Sequence, residues 1–237
     1  MIRNTLTVLA CALSLCTAGA QEVASSSIAA GIRAANPATS FKEIRTTPIQ
    51  GIYEVLMGAT VAYTDEAGKF FIFGHLFDIQ KQVDLTANRL IEAKKVEFPA
   101  ALLGNAIKTV KGDGSRALAI FSDPDCDYCK QLEATLTRLN NVTIYTFLYP
   151  LEALHPNAKT KAIAIWCAPD RGKAWGDAML GGRMPKPQTC ANPIHDNLAL
   201  GARLGVVGTP TLIALDGRLL PGAAPADQIE KWLEAAP

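Results

Sequence analysis

Cys126-Asp127-Tyr128-Cys129 is the segment of this chain best equipped for chemistry. It follows the apolar run Ala117-Leu118-Ala119-Ile120-Phe121 and precedes a stretch with Leu132, Leu136 and Leu139 on one helical stripe. Cys126 is therefore expected at a helix N-terminus, where unpaired backbone N–H groups and the helix dipole favour a thiolate. One turn later Cys129 can reach back and close a disulfide. A thiolate at Cys126 can attack a disulfide in another molecule, and Cys129 can resolve the mixed species. Helix-start geometry predicts that Cys126 is open to solvent and Cys129 is buried. Two blander readings compete. A structural staple is one, although so short a loop constrains the unfolded chain little. Half of a zinc site is the other, but its second half is missing, because Cys167 and Cys190 are not at ligand spacing. His75, His155 and His195 are scattered along the chain and read as surface or packing residues. No metal or cofactor site is expected.

Three further features surround this segment. Gly208-Thr209-Pro210-Thr211 precedes an apolar run, and a cis Thr209-Pro210 bond there would expose the Thr209 backbone to an extended substrate strand. Asp125 and Asp127 flank Cys126 with negative charge. Like charge disfavours ionisation, so Asp127 is expected to tune the thiol against the helix start, by half a unit or less on the order of screened surface effects. Cys167 and Cys190, 23 residues apart, read as a structural disulfide tying a helix around Ile163–Ala168 to the loop after Pro187.

The elements that must hold these residues begin with a targeting segment. Arg3, the apolar or small residues from Leu6 to Leu15 and the small residues Ala18-Gly19-Ala20 form the three-part secretory pattern, with cleavage expected after Ala20. Export removes Cys11 and Cys16, leaving four of the six cysteines, an even number suited to an oxidising compartment. The 237 residues are 49% hydrophobic, which excludes general disorder. A net charge of +1, with no basic run longer than Lys94-Lys95, argues against electrostatic nucleic-acid binding.

Residues 21–82 read as a small domain, with a helix near 22–35 followed by short β-rich runs punctuated by Gly58, Gly68 and Gly74. Residues 83–105 are predicted to be a kinked connecting helix. Residues 106–237 give the order β-α-β, a helical insertion over about 151–204, then β-β-α, an α/β layout with a central mixed sheet.

With these elements in place, the chain resembles the bacterial periplasmic disulfide isomerase family (DsbC/DsbG), its DsbC branch more than the other. Phe121-Ser122-Asp123-Pro124-Asp125-Cys126-Asp127-Tyr128-Cys129-Lys130 is similar to the family's active-site strand and helix start. Ala164-Ile165-Trp166-Cys167-Ala168 with Cys190 is similar to its second disulfide, and Leu198 through Pro210 to the helix leading into its cis-proline loop. Gly51-Ile52-Tyr53-Glu54-Val55 and Gly68 through Asp78 resemble its dimerisation domain. The resemblance implies a V-shaped homodimer, joined through cystatin-like N-terminal domains, with linker helices carrying thioredoxin-fold catalytic domains. It further implies misfolded, disulfide-containing exported proteins as clients in the periplasm, and a membrane thiol-transfer protein of the DsbD type as reductant. Asp127 departs from the family, which more often has a small or neutral residue there. The competing functions are a dedicated disulfide oxidase, which would need no such N-terminal module, a chaperone-like client-binding protein and a metal chaperone.

Overall fold

A computed structural model of the chain describes residues 22–234. The expected targeting segment, residues 1–20, lies outside the described residues. Two compact units divide the chain between Leu90 and Ile91.

In the first unit, helix α1 (Ser26–Ala35) precedes strands β1 (Glu43–Thr46), β2 (Ile52–Met57), β3 (Thr60–Asp65) and β4 (Phe71–Ile72), which pair in that order as an antiparallel sheet. Ile32 from α1 packs with Phe41, Ile44, Val55 and Ala62 beneath it, so one face of the sheet supplies the core. A second, two-stranded pairing joins β5 (Phe77–Asp78) to β6 (Val83–Asp84), and helix α2 (Leu85–Ala93) follows directly. The buried start of α2 is fastened to the unit by polar contacts. Thr86 meets the Tyr63 hydroxyl and accepts from the Leu76 N–H, while Arg89 Nε donates to Glu54 at 2.7 Å. Burial pushes the Glu54 carboxyl above its ordinary pKa. Phe70, Ile72, Phe73, Phe77 and Ile79 remain exposed along the outer part of this unit.

The connecting helix expected over 83–105 is broken. Residues 83–84 are strand, α2 ends at Ala93, and a separate 3-10 turn spans Ala100–Asn105. The interruption has a tertiary cause. The Val96 N–H donates to the Gly217 carbonyl at 2.9 Å, pulling the backbone out of helical pairing. Gly217 permits this close approach: its φ is +86°, and a Cβ there would stand 2.1 Å from the Val96 carbonyl oxygen.

The second unit is built on a mixed sheet of five strands in the order β11-β10-β8-β9-β7, where β7 is Ile107–Lys111, β8 Arg116–Ser122, β9 Val142–Leu148, β10 Thr211–Ala214 and β11 Leu219–Pro221. Only β8 and β9 run parallel, linked by helix α3 (Asp127–Leu136). β8 sits between two neighbours with both faces covered, which is why its residues form an unbroken apolar run. Leu118 and Ile120 meet α3 and the closing helix α7 (Ala226–Glu234) on one face. Ala119 and Phe121 meet Phe147, Tyr149 and helix α6 (Ile194–Arg203) on the other. The helical insertion comprises α4 (Ala158–Trp166), α5 (Arg171–Gly181) and α6, with residues 182–193 lacking regular structure. Gly201 on α6 is required by close packing, because a Cβ there would fall 2.3 Å from the Tyr149 ring. Among the described residues no helix is long and apolar enough to cross a membrane.

Candidate active site

β8 delivers the chain to the site, and Asp123 organises the turn that follows. Its carbonyl accepts from the Cys126 N–H at 3.2 Å, and its own N–H donates to Cys129 Sγ at 3.4 Å. One carboxylate oxygen accepts from the Asp125 N–H at 2.8 Å. The other accepts from the Leu151 N–H at 2.7 Å and lies 3.0 Å from His155 Nδ1. Asp123 is fully buried, so every polar atom it brings inside has a partner, as burial requires.

Cys126 stands at the N-cap of α3 and Cys129 one turn within it. Both are free thiols in this structure. Cys126 Sγ donates to the Thr209 carbonyl at 3.4 Å, which brings the loop before β10 against the helix start. The Thr209-Pro210 peptide is cis. The expected openness of Cys126 needs correction: it is 5% exposed, against 0% for Cys129. A helix start alone would leave the sulfur open; here Thr209 lies over it, and both cysteines join a packed cluster with Leu148, Ile165, Trp166 and Trp175. Burial pushes the Cys129 thiol up to about 12. That sulfur stays protonated at neutral pH unless something in the reaction draws the proton away.

The two carboxylates beside Cys126 do not act alone. Asp127 is exposed and accepts from Lys130 Nζ at 2.9 Å, an ammonium that holds its carboxyl below the usual range. Asp125 pairs with Lys161 from α4. Each negative charge near the thiol is thus matched by a lysine, and the reading of Asp127 from the sequence did not include that partner. Cys167, the residue after α4, is joined to Cys190 with an S–S distance of 2.06 Å and a Cα–Cα distance of 5.7 Å. Among the described residues no group of three or more His, Cys, Asp or Glu side chains converges as metal ligands.

The structure therefore assembles Cys126, Cys129, Thr209 and Pro210 in one place and holds Cys167 and Cys190 as a separate bridge. Asp123, His155, Lys130 and Lys161 were missed as members of the site. Lys130 could have been found by its helical spacing from Asp127. His155 could not, since 32 residues separate it from Asp123.

Comparison with known proteins identifies the family. The family model of a disulfide bond isomerase protein N-terminal domain matches residues 17–87, and that of a thioredoxin-like domain matches residues 103–237. A Bordetella parapertussis protein named "Probable thiol:disulfide interchange protein DsbC" is 43% identical over 190 residues, covering 80% of this chain and 67% of its own. This chain belongs to the DsbC family of thiol:disulfide interchange proteins. The Escherichia coli K12 member, thiol:disulfide interchange protein DsbC, is 29% identical over 194 residues, covering 81% of this chain and 80% of its own. The crystal structure of a disulfide interchange protein from Neisseria gonorrhoeae is similar at a TM-score of 0.54 and 44% identity, over 56% of this chain and 95% of that one. The fold is accordingly a DsbC-type N-terminal domain followed by a thioredoxin-like domain, and the activity of this DsbC-family chain is thiol–disulfide interchange.

Proposed function

We propose that this protein rearranges or reduces incorrect disulfides in exported proteins, with Cys126 as nucleophile and Cys129 as resolving thiol. The observation that carries the assignment is the asymmetry of the pair. Cys126 caps the helix, with its sulfur on the Thr209 carbonyl at the loop edge, whereas Cys129 lies wholly inside with its thiol pushed up to about 12. Only Cys126 is placed for a client sulfur to approach in line, and Cys129 enters once the mixed disulfide has formed. Thr209 and Pro210 offer backbone beside the attacked bond, where an extended client pairs as an added strand. Tyr128 in the first turn of α3 and Leu154 and Val207 on the two loops that Asp123 and Thr209 bring to Cys126 are exposed, and they supply apolar contact for unfolded segments. Cys167–Cys190 serves as a structural bridge apart from the cycling pair, and Asp127 as a modest tuner of thiol reactivity.

The protein acts in the periplasm after removal of residues 1–20, with a DsbD-type membrane protein returning the active pair to the dithiol. Residues 21–82 form a homodimerisation domain, 83–105 the connection and 106–237 the catalytic domain. Exposed Phe70, Ile72, Phe73 and Phe77, together with the open edge at β4, make a surface that a second copy would cover.

The test is refolding of a scrambled multi-disulfide protein with catalytic amounts of the reduced chain. Cys126→Ser should abolish both activity and mixed-disulfide formation, and Cys129→Ser should accumulate the mixed species. Phe70→Asp combined with Phe73→Asp should yield monomers by sedimentation and lower isomerase activity while leaving thiol reactivity. Isomerisation that survives Cys126→Ser would refute the assignment.

A further inference from the structure

Asp123 is the residue that both active-site cysteines share, and the reaction so far described makes no use of the side chain that holds it. Its carbonyl accepts from the Cys126 N–H and its N–H points at Cys129 Sγ. The peptide can keep that aim only if the side chain is pinned. Three groups do the pinning: the Asp125 N–H at 2.8 Å, the Leu151 N–H at 2.7 Å and His155 Nδ1 at 3.0 Å. The first comes from the same turn, and the other two from the loop after β9. His155 alone of the three is a side chain, and it is partly exposed while Asp123 is fully buried. It forms the outer end of a chain of contacts running from solvent, through the Asp123 carboxylate and backbone, to the inner sulfur.

We propose that His155 is a positioning residue for the resolving step, holding Asp123 so that its backbone N–H stabilises the thiolate of Cys129. This rests on the assignment of Cys126 as nucleophile and Cys129 as resolver. In that step the Cys129 S–H gives up its proton, which ends on the departing client sulfur, and the thiolate attacks Cys126 Sγ. The bond between Cys126 and the client breaks, the Cys126–Cys129 disulfide forms, and the client sulfur leaves as a thiolate that takes up a proton. The client disulfide has then gained two electrons and the protein dithiol has lost them. Negative charge on Cys129 exists only during this exchange and its reversal. A hydrogen bond to an ionised acceptor is about twice as strong as one to a neutral acceptor, so an N–H fixed on that sulfur favours the charged form over the thiol. The same N–H is of no direct help to the first attack, where charge resides on Cys126. Burial that pushes Cys129 up to about 12 makes the inner thiolate the costly species, so its one backbone donor matters for the rate. His155 contacts Asp123, and the charge of nearby Asp127 is already engaged by Lys130.

The two steps separate with a probe of two identical extended peptides joined by one disulfide. Attack by Cys126 releases the first peptide thiol, and resolution by Cys129 releases the second; acid quench and mass spectrometry count both in the full-length reduced protein. His155→Ala should slow the second release by about tenfold, the size expected for losing one well-aimed bond to a charged group, and the first by much less. His155→Asn, whose amide nitrogen can stand where Nδ1 stands, should recover most of the second rate. A second release unchanged in His155→Ala would overturn the proposal. So would both releases slowing in the same proportion, as simple loosening of the site would cause, or an Asn variant no faster than Ala. Failure of the underlying assignment looks different: Cys129→Ser would then release both thiols, and the proposal would fall with it.

Discussion

Removal of the Cys167–Cys190 bridge gives a sharp test of how the second unit is held together. The bridge closes a loop with a sequence separation of 23 residues, from the end of α4 to the segment before α6. Within that loop residues 182–190 have no regular structure, and few other contacts tether them, chiefly Gln188 to the Ala164 carbonyl at 3.1 Å and the Arg183 N–H to the Asp177 carbonyl at 2.9 Å. Constraining a loop of this size lowers unfolded-chain entropy by an amount worth about 3 kcal/mol at 25 °C. Neither sulfur fills deep core, since Cys190 is exposed and Cys167 only half-buried, so alanine adds little cavity cost. The variant Cys167→Ala/Cys190→Ala should therefore lose about 3 kcal/mol, or roughly 10 °C in Tm for a unit of this size. Trp166, Trp175 and Trp232 all lie in the second unit, so tryptophan fluorescence reports that unit alone. With Cys126 and Cys129 kept reduced in both proteins, the urea midpoint should fall by about 1.5 M at a slope of about 2 kcal/mol/M. A midpoint lowered by less than about 0.5 M at unchanged slope would refute the entropic reasoning, because the bridge would then be redundant with packing.

Gly201→Ala should destabilise the second unit by about 1–3 kcal/mol, since its methyl would enter the Tyr149 ring and strain the Tyr149 hydroxyl bond to the Val206 carbonyl; the same fluorescence titration reads the loss. Cys129 titrates higher in the folded protein, moving from 9.0 to about 12, so the unfolded chain gives up this proton first. This contribution to the stability of the reduced protein should be full below about pH 9 and be lost as pH rises toward 12, whereas Cys129→Ser should lack that component in urea titrations across the range. Asp127→Asn should speed iodoacetamide alkylation of Cys126 by no more than about threefold at low salt, because Lys130 already offsets the charge, and the gain should vanish in high salt. Unchanged or slower alkylation at low salt would leave Asp127 as a helix-start residue only.

How much of this was readable beforehand follows from where the forces act. The run Ala117–Phe121 announced a doubly covered strand, and Val142–Leu148 and the turn at Asp216-Gly217 were readable from local chemistry. Strand β7 was not. Only Ile107 is buried in it, and Lys108, Thr109 and Val110 face outward on an edge, so no alternation marks it. The helix predicted beyond Ala93 failed because Leu85, Leu90 and Ile91 carry a helical pattern whose continuation is overridden at Val96 by a bond to a residue far along the chain. In the site, the C-x-x-C spacing is local and was visible. The shielding of Cys126 by Thr209, the anchoring of Asp123 by His155 and the pairing of Asp125 with Lys161 all depend on distant segments meeting, which no spacing records.

The recession of Cys126 bears on which molecules can react with it at all. A cysteine only 5% exposed, its sulfur on the Thr209 carbonyl, is hard to reach for a disulfide lying flat on the convex surface of a well-packed globule. A disulfide carried on a slack, extended strand can be threaded down to it. The threshold for reaction is then set by the other molecule's own mechanical state. As a client acquires its native packing its sulfurs withdraw from reach, and exchange ceases without any signal passing between the two proteins. Quality control of this kind needs no recognition of right and wrong bonds, only a nucleophile set back from the surface.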